Sequence, residues 1–527
     1  MTSCNRRAAT FAAALALLAG ACAQPAMSQS PPSSGAPVEA QIDSGALRGR
    51  EAGGIKSFKG IPYAAPPVGE LRWRAPAAPA AWSGVREADQ YGSDCIQNRV
   101  SWDKTQSAQP TSEDCLTLNV WAPAAAKKAP VMVWIHGGGF VMGSGSQPIF
   151  DGAKLAARDV VVVTFNYRLG RFGFFAHPAL TRETAGSATG NFAFMDQVAA
   201  LEWVKRNIAA FGGDPGNVTI FGESAGGGSV NQLMLAQPAR GLFHKAIAQS
   251  GGGRDVLPLL STERAGKPAA EAVGAAFATK AGVKGEDLSA LRALSADKLR
   301  GKLDLLNQEA DTYSGPMIDG VLVASDVAAG FAAGRQAKVP YLVGANSDEL
   351  GFLPGFLRGP MAAKTLKEIG AGDEIQAAYG SKSALDAQLT SDVTFVEPAR
   401  HLAAVQAASG APTWLYSFGY VPEAKRKSQK GAGHATELAF VFGDLAAAGD
   451  IDETPADGAA ARLVGDYWTA FARTGDPNGG GRPAWPAYAR ASDQRLAIGN
   501  DGAAASKAGT AALDALGAHQ DKVAAGR

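Results

Sequence analysis

The sequence carries almost no net charge: 50 Lys and Arg face 49 Asp and Glu, a formal balance of +1 over 527 residues. No excess of either sign points to a nucleic acid or an anionic lipid surface as partner. A short basic run, Lys425-Arg426-Lys427 with Lys430, is too small to change that and reads as a solvated loop. No repeat period is visible, so solenoid and propeller arrays are not expected. Beyond the first residues no apolar run is long enough to cross a bilayer. No HExxH or comparable ligand spacing occurs, and no lysine follows a glycine-rich loop as a P-loop requires. Neither a metal nor an organic cofactor is therefore expected.

Cysteine is scarce, with four in the chain. Cys4 and Cys22 fall in an N-terminal leader, which leaves Cys95 and Cys115. A zinc site is not expected there, since no histidine lies near either and four ligands are needed. An even pair in an exported chain reads as a disulfide closing a loop of about 20 residues and contributing roughly 3 kcal/mol. Two buried thiols are the alternative.

The leader has its own signature. Arg6 and Arg7 precede "FAAALALLAGACA", an apolar run too short to span a membrane that ends in small residues. This reads as a signal peptide over residues 1–23. Cys22 admits a second reading, because "LAGAC" resembles a bacterial lipoprotein box and would place a lipid anchor on that cysteine. The arginine pair leaves Sec and twin-arginine export both open. Residues 24–38 read as a flexible tether, 39–500 as the folded domain, and 501–527 as an Ala/Gly-rich C-terminal segment expected to fray.

The body is 46% hydrophobic and 19% charged, the balance of a globular chain with a large core. Short β-branched runs recur: "APVMVWIHGGG", "DVVVVTFNYRLG", "NVTIFGESAG" and "VPYLVGANSDE". None alternates with period 2, as expected of parallel strands buried on both faces. Between them, "FMDQVAALEWVKRNIAAF" sets Val198, Leu201, Val204 and Ile208 on one helical face. Strands alternating with helices predict an α/β fold with a large, mostly parallel central sheet. Ligands bind beyond the carboxyl ends of such strands. Chemistry is thus expected just after "WI", "IFGE" and "GANSDE".

The second of these ends carries a nucleophile pattern. Gly222-Glu223-Ser224-Ala225-Gly226 follows a strand and opens a glycine-rich segment, the strand–elbow–helix context in which a serine is lifted into a cleft. The first end, "HGGGF" (His136–Phe140), supplies consecutive glycine N–H groups for an oxyanion, with Gly138, Gly139 and Ala225 the expected set. The chain has six histidines. His136 sits in the oxyanion loop, His177 before a proline turn, His244 on a packing position and His519 in the tail. His401, on a predicted helix, rivals His434, which lies in a Gly-flanked loop and is the expected base. For the acid, Glu349 and its neighbour Asp348 both follow a strand, and Asp319 and Asp392 are further candidates.

Several segments resemble the type-B carboxylesterase family, the group that contains cholinesterases and bacterial para-nitrobenzyl esterases. "EDCLTLNVWAP" and "FGGDPGNVTIFGESAG" match its two signatures, and "FKGIPYAAPPVGELRWRAP", "NYRLGRFGFF", "SGPMIDG" and "FARTGDPNG" are similar to further family segments. The resemblance runs from about residue 45 to about residue 488. It implies an α/β-hydrolase fold, a Ser224–Glu349–His434 triad, the oxyanion hole already named, and a Cys95–Cys115 disulfide. It selects Glu349 over Asp348. Two departures stand out: Leu350 and Ala435 follow the acid and the base, where family members often have glycine. The implied protein is an exported, periplasmic or secreted serine carboxylesterase that forms an acyl-enzyme. Alternatives are amide, carbamate or lipid-ester hydrolysis by the same triad, or a binding protein of this fold. Trp134, Phe140, Phe192, Phe352 and Phe356 are candidate pocket aromatics, and the Lys425–Lys427 run allows a preference for anionic esters.

Overall fold

A computed structural model describes residues 35–101 and 103–526. The signal peptide, Cys22 and most of the expected tether lie outside them. In chain order the strands are β1 Ala36–Ile42, β2 Gly45–Ala52, β3 Ile55–Pro62, β4 Val85–Glu87, β5 Asp94–Cys95, β6 Thr111–Ser112, β7 Thr117–Pro123 and β8 Ala129–Ile135. They continue with β9 Val161–Phe165, β10 Gly213–Glu223, β11 Lys245–Gln249, β12 Tyr341–Asn346, β13 Thr413–Phe418, β14 Gln494–Gly499 and β15 Gly502–Lys507.

A small β5–β6 pair stands apart, and the others form one 13-stranded sheet in the order β1-β2-β3-β7-β9-β8-β10-β11-β12-β13-β14-β15, with β4 on β2. From β9 to β14 every neighbouring pair is parallel. Antiparallel pairs finish both ends. Strands β9, β11 and β12 are buried at every residue, which is why their sequences show no alternation.

Each face of the sheet has its own core. Val131, Val133 and Ile220 join Val198, Leu201, Val204 and Ile208 from the Phe192–Asn207 stretch and the turn after it. Met132, Trp134 and Phe221 point the other way, to Val464, Trp468 and Phe471 of the Pro455–Thr474 helix. Alternate residues of one strand thus feed opposite layers, the three-layer arrangement expected of an α/β fold.

The described residues form one compact unit. The sheet begins earlier than residue 39, since β1 starts at Ala36 inside the expected tether. The C-terminal segment does not fray: β15 pairs with β14, and the Ala511–Ala525 helix buries Leu513 and Leu516. Alanine richness misleads there because two leucines at helical spacing suffice to dock it. Cys95 and Cys115 are joined as a disulfide, Cα–Cα 5.0 Å.

One feature of the strand order positions the site. From β8 the chain moves to β9 on one side, then returns across β8 to β10 on the other. The segments leaving β8 and β10 diverge, opening a crevice at their carboxyl ends.

Candidate active site

Ser224 sits directly after β10 with φ 55° and ψ −123°, at the N-cap of the Ala225–Leu235 helix. A serine in this region of backbone space is strained, and the surroundings hold it there. Its N–H donates to the Gln249 carbonyl (2.9 Å), and its own carbonyl accepts from Gly228 N–H (2.8 Å). The flanking glycines are required by contact. A Cβ on Gly226 would lie 2.0 Å from the Ile135 carbonyl oxygen, and one on Gly222 would meet the Gly226 backbone at 2.6 Å. The elbow therefore packs backbone against backbone on the end of β8.

The segment leaving β8 folds back on itself. Gly138 accepts from the N–H groups of Val141 and Met142, both 3.1 Å. Gly138 and Gly139 have φ of 101° and 61°. Among the described residues, no acceptor is found for the N–H groups of Gly138, Gly139 or Ala225. Three donors of this kind beside a serine are what an oxyanion needs. His136 does not face the cavity: it is fully buried, stacked on Tyr167 (4.2 Å), and its Nδ1 lies 2.9 Å from the Gly137 carbonyl.

His434 and Glu349 meet across the sheet, Nδ1 to Oε2 at 2.6 Å, and the His434 N–H donates to the Glu349 carbonyl. Glu349 is wholly buried. Its Oε1 accepts from Ser250 Oγ (2.6 Å) and the Asn346 N–H (2.7 Å). Behind it lies a second carboxylate, Glu437, which accepts from Gln249 Nε2 (2.9 Å) and Asn346 Nδ2 (2.6 Å). On the other nitrogen, His434 Nε2 lies 3.1 Å from Glu223 Oε1. The Phe395 ring packs on the imidazole at 4.7 Å, presented by a π-helical turn, Asp392–Val396. With 22% of its side chain exposed, His434 is reachable from solvent where Glu349 is not.

These neighbours set the charge. Burial alone disfavours imidazolium, but the carboxylates of Glu223, Glu349 and Glu437 outweigh it and raise the His434 pKa. Burial, with Glu437 and Glu349 close by, also raises Glu223, against the opposing pull of the His434 imidazolium. Glu437 rises for the same reason. Sequence reasoning passed over Glu223, Glu437 and Ser250. The one signal in the sequence is a glutamate next to the serine, inside the elbow pattern itself.

The rival residues are engaged elsewhere. Asp348 pairs with Arg358 at 3.2 Å. Asp319 accepts from the N–H groups of Val321, Leu322 and Val323, and Asp392 accepts from the Tyr379 hydroxyl. His401 is held near 3.9 Å from Asp521, His177 accepts from the Ala179 N–H, His244 from the Val218 N–H, and His519 contacts the Ile369 carbonyl.

Ser224, Glu223, His434, Gly137 and Gly138 share the wall of one cavity of about 530 Å³. Phe150, Met142, Leu305, Phe352, Leu438 and Ile451 supply much of its apolar lining. Of the candidate aromatics only Phe352 belongs to it. Trp134 and Phe192 are core residues, Phe140 packs against Phe174 and Phe194, and Phe356 is 77% exposed. Lys425 lines the cavity too, but is paired with Asp450 at 2.7 Å. Among the described residues no cluster of His, Cys, Asp and Glu is arranged to hold a metal ion.

The same arrangement of chain is found in known proteins. A model of the carboxylesterase family matches residues 36–368 and 361–515. The chain is 38% identical to the fumonisin B1 esterase of Sphingopyxis macrogoltabida, over 86% of this chain and 87% of that protein. It is 36% identical to the para-nitrobenzyl esterase of Bacillus subtilis, over 87% and 94% respectively. Among solved structures it resembles a PNB esterase at 33% identity and a TM-score of 0.78, over 89% of this chain and 96% of that one. The carboxylesterase of Geobacillus stearothermophilus aligns at 35% identity and a TM-score of 0.75, over 89% and 97%. An α/β-hydrolase sheet, a serine elbow in its crevice and matches over nearly the whole body agree: this chain belongs to the carboxylesterase family, as a type-B carboxylesterase and a hydrolase of carboxylic esters.

Proposed function

We propose that the protein is an exported serine carboxylesterase working through Ser224, His434 and Glu349. The observation that carries this reading is the 2.6 Å contact of His434 Nδ1 with a buried Glu349, at the wall of the cavity into which the Ser224 elbow opens. Ser224 Oγ attacks the ester carbonyl as its proton passes to His434 Nε2. For this, Nε2 exchanges Glu223 for the adjacent residue, Ser224, a change that substrate binding completes. Glu349 fixes the tautomer and stabilises the imidazolium. The N–H groups of Gly138, Gly139 and Ala225 take the charge on the carbonyl oxygen. His434 then returns the proton to the leaving alkoxide as the ester C–O bond breaks. A water deprotonated by His434 attacks the acyl-enzyme and releases the acid and free Ser224.

Export rests on the leader and on the Cys95–Cys115 pair, which suits an oxidising compartment. Mass spectrometry of the mature N-terminus separates simple cleavage from lipidation of Cys22. The apolar cavity and the neutralised Lys425 favour uncharged esters of moderate size over anionic ones. The test is a series of para-nitrophenyl esters of rising chain length, with charged analogues, assayed on wild type and Ser224→Ala. Hydrolysis should fall on the order of 10⁴–10⁶-fold in a folded Ser224→Ala protein. Activity surviving that substitution, or a preference for anionic esters, would count against the reading.

A further inference from the structure

The oxyanion loop is gripped at both ends, and one grip comes from the disulfide segment. At its start, the Tyr167 hydroxyl donates to the His136 carbonyl at 2.7 Å. At its end, Gly143 has φ 112°, and a Cβ there would meet His136 Nδ1 at 2.4 Å and the Gly137 carbonyl oxygen at 2.6 Å. The two ends of the loop therefore touch, and only glycine permits it. Gly138 and Gly139, the proposed oxyanion donors, lie between them.

Gln97 clamps this closing point. Its Oε1 accepts from the Gly143 N–H and its Nε2 donates to the Gly143 carbonyl, both at 2.8 Å. One planar carboxamide thus satisfies both backbone groups of one residue and fixes its orientation as well as its position. Nε2 also donates to the Cys95 carbonyl at 3.1 Å, which ties the clamp to the disulfide-bonded residue two positions earlier. Just beyond, Asp94 Oδ1 accepts from Ser144 Oγ (2.5 Å) and Ser146 Oγ (2.7 Å). Asp94 and Gln97 together hold Gly143, Ser144 and Ser146, and Gln97 touches the one that closes the loop. It is 9% exposed.

We propose that Gln97 is a positioning residue for ester hydrolysis: through Gly143 it sets the aim of the Gly138 and Gly139 N–H groups, and the Cys95–Cys115 disulfide keeps it in place. It touches neither substrate nor the triad. Oxyanion donors act over a narrow range of distance, and loss of one costs on the order of 10²–10³-fold in kcat. Release of the clamp misaligns the donors without removing them, so a smaller loss is expected. The inference rests on the oxyanion reading given above.

The test compares wild type with Gln97→Ala and Gln97→Met; methionine keeps the volume and packing while removing all three hydrogen bonds. Three quantities are read: kcat and KM for para-nitrophenyl butyrate, the inhibition constant of an alkyl trifluoromethyl ketone, and the pH profile of kcat/KM. The ketone adds to serine as an oxyanion-bearing hemiketal. The expected result for both variants is a fall in kcat of about 10- to 100-fold. KM should move little, ketone affinity should weaken in proportion, and the pH profile should stay in place because His434 is untouched. A folded Gln97→Met protein with wild-type kcat and ketone affinity, changed only in melting temperature, would overturn the proposal. So would a kcat loss that leaves ketone affinity intact. Should Gln97→Ala fail to fold, Gln97→Met alone decides. Failure of the underlying reading looks different, because wild type would then show no Ser224-dependent hydrolysis.

Discussion

Around Ser224 and the glycines at 137–139 the site is made of backbone, whereas around His434 it is made of buried charge. On the first side Ser224 is held by main-chain bonds to Gln249 and Gly228, the flanking glycines let main chains touch, and the proposed anion donors are N–H groups. On the second side Glu349, Glu437 and Glu223 surround one imidazole, with Ser250, Asn346 and Gln249 satisfying oxygens of Glu349 and Glu437. A strained backbone is insensitive to pH and intolerant of side-chain bulk. A cluster of buried carboxylates responds to the protonation of each of its members.

The comparison breaks most severely at Glu349. Glu349→Gln keeps size and burial but removes the charge that stabilises imidazolium, and kcat should fall by about 10⁴-fold. Steady-state kinetics with para-nitrophenyl butyrate checks this. A loss below tenfold would mean that His434 does not depend on Glu349.

Glu223→Gln sharpens the same side with a smaller effect. Glu223 is the carboxylate that raises the His434 pKa most, so removing it lets the imidazole lose its proton at lower pH. The base works only when neutral, so the rise of kcat/KM with pH should move down by about one pH unit or more. A profile of kcat/KM against pH reads it directly, and an upward shift would contradict the assignment.

The smallest expected effect belongs to Ala435, where backbone strain enters the histidine side. Ala435 has φ 65°, a region of backbone space that glycine adopts at no steric cost. Ala435→Gly should relieve about 1 kcal/mol of strain, partly offset by the greater freedom of glycine in the unfolded chain. Chemical denaturation measures it. Leu350, the other departure, has no positive φ and needs no glycine.

The contrast also explains what could be read from sequence. The backbone side was legible because its constraints are local: glycines at 222 and 226, the run at 137–139, and a strand leading into each. The parallel strands were legible because burial on both faces removes alternation. On the histidine side, loop context points to His434 and the resemblance to Glu349, and the structure brings the two into contact. Their supporting cast was not found, since Glu437, Ser250 and Phe395 reach the site only through tertiary packing. The C-terminal strand and helix were missed for a similar reason. Their composition resembles a tail, and what fixes them is pairing with β14 and the docking of Leu513 and Leu516. Among the pocket candidates, aromatic content could not separate Trp134 in the core from Phe352 at the cavity.

The most direct measurement is covalent labelling with an alkyl fluorophosphonate followed by peptide mass spectrometry. The account predicts one adduct, on Ser224, formed in step with loss of esterase activity and absent from Ser224→Ala. An adduct on another residue that tracks inactivation, or full hydrolysis by protein whose Ser224 is quantitatively labelled, would contradict it.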